Sequence, residues 1–503
     1  MKKIIVLLLT MLMAFSVVGC GNTSGGGNNG GDLPPVVEEE KDLEGKLTIK
    51  VMDKGYGTKF AEELCKAYKE INPDFDYEVI PDANIPETLA NELPLGPDLN
   101  KTSIYFGSNV NYPEYFESTK YGDKFGYESF LYDFRGFLQN WETYDGISVK
   151  DALPSTLIDM LSIEGRTFGL PWAAGACGIV YREDIFKEVG IEVPKTTDEL
   201  LACVKSILDY NAANPDKKPI YPFIWSGGNA AEYWEYVTNV WWAQYEGYDQ
   251  FMKYWSLNDG NMYSPKKDYL MQEGQLKALE VTQELVKAGV SYPGSQNNQS
   301  DAVQRLFVKE DSQARFAMIP NGDWFENEVK KGGCTESELA RVKMMVTPKL
   351  SAAVAKHGEQ NVTDYAYTLS STHNVSVPAY AAEKYLIKDF LSFVYSGDGA
   401  KIFTKFTGSF LALNDFGYID EAVRGEMTNY QLSQLNIVSN TDYLYTTIYK
   451  SPLRYAGTLK KVPEGKDFPE IAMANGKTAK QVWDDYNKYH NSNWSNYLAD
   501  AGL

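Results

Sequence analysis

One alternation of periods near the start of the chain's body narrows the fold most. Residues 46–53, Lys-Leu-Thr-Ile-Lys-Val-Met-Asp, alternate apolar and polar as a half-buried strand does. Phe60, Leu64, Tyr68 and Ile71 then mark one face of a helix that ends at Asn72-Pro73. Asp76–Ile80 reads as a second strand, Pro86–Leu93 as a short helix with proline at its first position, and Ser103–Phe106 as a third strand. Strand, helix, strand, helix, strand predicts a parallel sheet with covering helices, so the fold class is α/β. A second unit is predicted downstream. It has strands at Ile220–Trp225, Arg315–Ile319 and Val342–Val346, an aromatic segment at 232–245, and a helix through 276–288. At 503 residues the chain has room for two large domains or three ordinary ones.

Two local signals join these units. Residues 173–178 are small and lie between apolar stretches, which suits a flexible crossing segment. Pro194 to Glu199 opens a helix, with Thr196 and Glu199 at capping-box spacing and Leu200, Val204, Ile207 and Leu208 on its apolar face. Helical stretches also run through 381–407.

The amino terminus reads as an export leader. Lys2 and Lys3 precede an apolar run from Ile4 to Val18, too short to span a bilayer comfortably, which takes ~20 residues. Val17-Val18-Gly19-Cys20 resembles a bacterial lipobox, whose cysteine is acylated. Residues 1–19 are then the signal peptide. Residues 20–44 are the lipidated cysteine and a flexible linker, Gly-rich over Gly21–Gly31. Two or more acyl chains on Cys20 would hold the protein at a membrane stably. Cys65, Cys177, Cys203 and Cys334 match no zinc spacing, and the chain has three histidines, so neither metal nor cofactor is expected. Cys65 and Cys203 fall in apolar helical stretches and read as core thiols.

Charge excludes one large class of partner. With 48 Lys+Arg against 68 Asp+Glu, the net charge of −20 offers no basic face for nucleic acid. The 35 Tyr and 10 Trp offer flat apolar faces with polar edges, useful in cores and against polar ligands alike.

Four stretches carry a resemblance to a known family. Asp53-Lys54-Gly55-Tyr56 follows the first strand. Gly169-Leu170-Pro171-Trp172 leads through Gly178–Phe186 to Gly190 and Pro194-Lys195-Thr196. Arg315 to Trp324 contains Ala317-Met318 and Gly322-Asp323-Trp324, and Ala382 to Gly408 is a Phe-rich helix leading to glycine. In this order they resemble the carbohydrate-binding members, family 1, of the bacterial extracellular solute-binding proteins, receptors of ABC importers. The resemblance implies a type II periplasmic-binding-protein-like fold of two lobes joined by three crossovers. Lobe 1 would comprise 45–173 plus 374–410, and lobe 2 would comprise 178–370 plus 415–503. It also implies a non-enzymatic monomer, tethered to the membrane, that passes an oligosaccharide to permease subunits.

Within that frame, Asp53 and Lys54 are expected to bond sugar hydroxyls, and Asn109 and Asn111 to replace the Asp-Arg pair that maltose-binding members carry near this point. The acidic residue of the first crossover in those members is also missing, with Gly175 or a neighbour in its place. Trp324 matches the family's stacking tryptophan, with Asp323 beside it. Trp172, Trp225, Tyr233 and Trp234 are further aromatic candidates, of which the core claims some; Tyr443 or Tyr445 is a late one. A glycoside hydrolase would need two carboxylates ~5–10 Å apart, and no motif singles out a pair. A peptide receptor on the same fold stays open at this level.

Overall fold

The computed structural model describes residues 36, 39–108, 129–163, 165–309 and 313–503. The leader, Cys20 and most of the linker lie outside the described residues, as do Asn109 and Asn111. Besides a short antiparallel hairpin of Ser162–Ile163 with Arg166–Thr167, the strands are β1 (Gly45–Met52), β2 (Phe75–Asp82), β3 (Ile104–Ser108), β4 (Leu170–Pro171), β5 (Gly178–Arg182), β6 (Ile220–Phe223), β7 (Arg315–Asn321), β8 (Val342–Met345), β9 (Tyr365–Tyr367), β10 (His373–Ser376) and β11 (Asp442–Leu444). Two sheets organise the body. One has the order β2-β1-β3-β10-β4 and the other β8-β5-β7-β6, while β9 and β11 form a separate pair. The chain thus leaves the first sheet after β4, returns to it at β10, and brings the two sheets' loops together at the crossings.

The first sheet follows the predicted alternation. β1 pairs in parallel with β2, from Gly45 opposite Phe75 to Met52 opposite Asp82, and with β3 on its other side. β10 closes antiparallel on β3, His373 opposite Ser108. Leu47, Ile49 and Val51 are buried at alternate positions of β1. Helices α1 (Lys59–Ile71) and α2 (Ile85–Glu92) connect these strands. Phe60, Leu64 and Tyr68 of α1 are buried as expected, whereas Ile71, the last residue of the helix, is 52% exposed.

The second sheet is covered by α3 (Thr197–Ala213), α4 (Glu235–Glu246) and α6 (Glu273–Val286), with α5 (Tyr248–Ser256) packed on α4. Thr196 caps α3 by accepting from the Glu199 N–H, but the Glu199 carboxylate reaches one residue further back, to the Lys195 N–H at 2.7 Å. Leu200, Val204 and Ile207 are buried, while Leu208 is 37% exposed on the helix flank. Further along lie α7 (Phe325–Lys331), α8 (Lys384–Val394), α9 (Gly397–Thr407), α10 (Asn429–Asn440) and α11 (Ala479–Asp500). α9 packs on α1, and α10 packs on β8. Cys65, Cys177, Cys203 and Cys334 are free thiols. Among the described residues no helix is long and apolar enough to cross a membrane.

Candidate functional site

A large concave feature lies where loops following the strands of both sheets meet, the position at which open α/β sheets bind ligands. It is a cleft of about 890 Å³, lined by Met52–Gly57 and Ser108 from the first sheet's loops, and on the second sheet's side by residues of three segments, among them Asn229, Tyr233, Tyr236, Gln304, Trp324 and Glu328. Tyr367, Leu369, Thr372 and His373 line it from the second crossing.

The loop after β1 is held in a tight turn. The Asp53 N–H donates to Asp82 O at 2.9 Å, extending the strand ladder, and the Gly57 N–H donates to Lys54 O at 2.7 Å. Gly57 has φ +68°, a conformation that favours glycine. The turn presses on α7 across the cleft. A Cβ at Gly55 would lie 2.9 Å from the Trp324 Cβ, and the Asn327 amide donates to Gly55 O at 2.5 Å. Asp53 pairs with Lys331 at 3.3 Å, the carboxylate 41% exposed.

Beneath that contact a carboxylate joins the two sides. Asp323, 2% exposed, accepts from the Tyr56 hydroxyl at 3.1 Å to each oxygen and from the Ser409 hydroxyl. Burial pushes its carboxyl up to about 6, against the pull of those hydroxyls and of backbone N–H groups. A Cβ at residue 175 would lie 2.0 Å from the Asp323 Oδ2. Gly175 is therefore a matter of space: the Asp323 carboxylate, brought in from the loop after β7, occupies the place of its Cβ.

The aromatic wall centres on Trp324. Tyr56, Tyr233 and Tyr236 approach it edge-on at 6.2, 5.8 and 6.0 Å between centroids. Tyr236 stacks on Tyr233 at 5.1 Å and on Tyr367 at 5.4 Å. Around the wall stand Glu328, which accepts from the Gln304 amide at 2.7 Å, and Glu235, which pairs with Lys461 at 2.6 Å. Burial raises the carboxyls of Glu232 and Glu328. His373, bonded through its ring to Leu369 O at 3.0 Å, is held down to about 4 by burial and is neutral at pH 7. Among the described residues no cluster of three or more His, Cys, Asp or Glu is placed to hold a metal.

The residues singled out from sequence divide. Asp53, Lys54, Tyr233 and Trp324 line the cleft. Asp323 lies directly beneath it. Trp172 does not line it. The ring is wholly buried in the core, stacked on Phe60 at 5.4 Å, with its Nε1 donating to Gly107 O at 2.9 Å. Trp225, 1% exposed, donates to the Ser291 hydroxyl at 3.1 Å, and Trp234, fully buried, packs on Phe223 and Trp225. Tyr443 and Tyr445 line a different cavity, of about 690 Å³, with Pro154 and Asn414. Tyr236, Glu232, Gln304 and Glu328 were not singled out. The spacing of Tyr233 and Tyr236 was the available signal, since residues three apart share a helix face.

Comparison with known proteins gives the family and the fold. The family model for bacterial extracellular solute-binding proteins matches residues 63–415. A binding protein of Brucella abortus strain 2308 is 23% identical over 360 residues, 71% of this chain and 72% of that one. The diacetylchitobiose-binding protein NgcE of Streptomyces coelicolor is 26% identical over 204 residues, 40% of this chain and 39% of its own length. The fold is similar to that of apo RafE from Streptococcus pneumoniae, with TM-score 0.60 and 16% identity, over 90% of this chain and 99% of that one. RafE in complex with raffinose superimposes with TM-score 0.56 and 15% identity, over 89% and 99%.

Proposed function

Because the chain belongs to the bacterial extracellular solute-binding proteins, we propose that it is a lipid-anchored, extracytoplasmic receptor that closes on an oligosaccharide and delivers it, as a monomer, to an ABC importer. The cleft carries this reading. Its volume is near the upper end of the ~300–1,000 Å³ usual for small-molecule sites, with room for more than one sugar ring. Its wall offers what a sugar needs: aromatic rings for the C–H faces, and carboxylates and amides that bond paired hydroxyls. Five carboxylates (Asp53, Glu232, Glu235, Asp301, Glu328) face four cations (Lys54, Arg305, Lys331, Lys461), a near balance that favours an uncharged ligand. The solute named for NgcE, diacetylchitobiose, and the raffinose held by RafE are sugars too.

In this reading Asp53, Lys54, Asn229 and Glu328 bond hydroxyls, Tyr233 and Trp324 stack, and Asn109 and Asn111 join from the segment after Ser108. Trp324 is only 6% exposed, so a sugar ring reaches it when the Tyr56 loop withdraws. Ligand then holds the closed state through contacts it makes on both sides. The signal peptide read over residues 1–19, followed by Cys20, supports lipid anchoring outside the cytoplasm. A thermal-shift panel of mono- and oligosaccharides and peptides, with reducing ends assayed in parallel, tests the proposal. Stabilisation by oligosaccharides without turnover is expected. Release of reducing sugar would make the protein a hydrolase, and a shift with peptides alone would make it a peptide receptor.

A further inference from the structure

The family match ends at residue 415, but two residues beyond it, Thr446 and Lys461, line the cleft. The segment that carries Lys461 is clamped to the helices of the second sheet. In a helical turn at Pro452–Tyr455, the buried guanidinium of Arg454 donates to Trp255 O at 3.1 Å and to Tyr254 O at 2.6 Å. These are carbonyls that the end of α5 leaves without an intrahelical partner, and a cation there also suits the helix dipole. Leu453 and Leu459 are buried, and the Leu459 N–H donates to Leu453 O at 2.8 Å, which turns the chain back on itself. Two residues on, the Lys461 ammonium stands 5.4 Å from the Trp255 ring centroid and meets Glu235, in the first turn of α4.

The ammonium donates to Glu235 at 2.6 Å, and among the described residues Glu235 is its one hydrogen-bond partner. The Lys461 side chain is 45% exposed and that of Glu235 20%, and both line the cleft. An ammonium has three donors and a carboxylate several acceptor sites, so each keeps capacity that the pair itself does not use. Burial in the cleft would lower the ammonium, but the charge of Glu235 and the bond to it raise it above its ordinary value, so it is charged at pH 7. As a unit the pair is neutral. It sets a strong donor beside a strong acceptor, and two neighbouring hydroxyls, each able to donate and to accept, match both at once. An anion would meet the carboxylates of Glu235 and Glu232, and a cation would meet Lys461.

We propose that Lys461 and Glu235 contact the ligand, forming a subsite for two adjacent hydroxyls of an uncharged sugar ring, and that their pairing selects neutral rings over acidic ones. The inference rests on the reading of the cleft as a sugar site. It adds that the segment after residue 415 carries a specificity determinant, with Arg454 as the positioning residue that fixes where Lys461 arrives.

Titration calorimetry on the full chain, on Lys461→Met and on Glu235→Gln tests this, with raffinose, diacetylchitobiose, xylotriose and maltotriose as neutral probes and digalacturonate as the acidic one. For the neutral sugar that the parent binds best, both variants are expected to bind roughly 10- to 100-fold more weakly, the range for losing a charged hydrogen bond. Glu235→Gln leaves the ammonium without its counter-charge, so its affinity for digalacturonate relative to that sugar is expected to rise, whereas that of Lys461→Met is not. Melting of the unliganded variants shows that each is folded. Lys461→Met keeps an apolar stem beside Trp255, and the test stands on it alone should Glu235→Gln fail to fold. Unchanged affinity in Lys461→Met, or unchanged selectivity in folded Glu235→Gln, would overturn the proposal and leave the sugar reading standing. A parent that binds no sugar would overturn that reading, and this proposal with it.

Discussion

The Tyr56 hydroxyl donates to the buried carboxylate of Asp323, 267 residues away in sequence, at 3.1 Å to each oxygen. That bond ties the turn after the first sheet's β1 to the loop after the second sheet's β7. The ring of Tyr56 also stands edge-on to Trp172 at 5.3 Å and to His373 at 5.5 Å. One side chain thus anchors in the first sheet's core and latches the second.

Removing the latch leaves Asp323 with Ser409 as its one remaining side-chain donor. Tyr56→Phe is expected to lower stability by about 1–3 kcal/mol, the cost of withdrawing a donor from a buried acceptor. It should also favour the open arrangement. Urea unfolding measures the first effect, and small-angle scattering of the ligand-free protein the second, as a larger radius of gyration.

The same carboxylate makes stability depend on pH. Its folded-state value, about 6, lies above the ordinary 3.8. The folded protein therefore binds this proton more tightly than the unfolded chain. The contribution is fully present below pH 3.8 and is lost as pH rises through 6, on the order of 3 kcal/mol across the window. Asp323→Asn should flatten the wild type's stability–pH curve between pH 4 and 6, measured by denaturant unfolding at fixed ionic strength.

Gly175 is expected to tolerate no side chain, because the space of its Cβ is taken by Asp323. Gly175→Ala should destabilise by about 1–3 kcal/mol, the usual range for overpacking. If the clash is the cause, Asp323→Gly in the same chain should recover part of the loss. Melting of the single and double variants checks this.

How far the chain could be read in advance follows from the range of the interactions. The strands and helices that the sequence analysis predicts, and the cap at Thr196, depend on neighbours within a turn or two and were legible to within a few residues. Asp53 and Trp324, which line the cleft, could be singled out because each follows a strand in a motif. Trp172 and Trp225 stand just after strands too, and Trp234 just before α4, and no local pattern separates a ring facing solvent from one facing the core. The latch between Tyr56 and Asp323 and the pair of Glu235 with Lys461 join residues hundreds of positions apart, which periodicity cannot register. Gly175 was legible as small, and the reason became visible only with the carboxylate beside it.

The buried tryptophans should answer to mutation differently from the cleft. Trp172→Ala and Trp234→Ala are expected to cost about 3–5 kcal/mol of stability, as large core truncations do. Denaturant titration of each reads it.

The most direct test of the central claim is titration calorimetry of oligosaccharides into the full chain and into Trp324→Ala. The account predicts one-to-one binding by an oligosaccharide to the parent. Loss of the central aromatic contact should weaken it by about 2 kcal/mol, or roughly 30-fold. Unchanged oligosaccharide affinity in the variant, or no heat from any sugar with the parent, would contradict it.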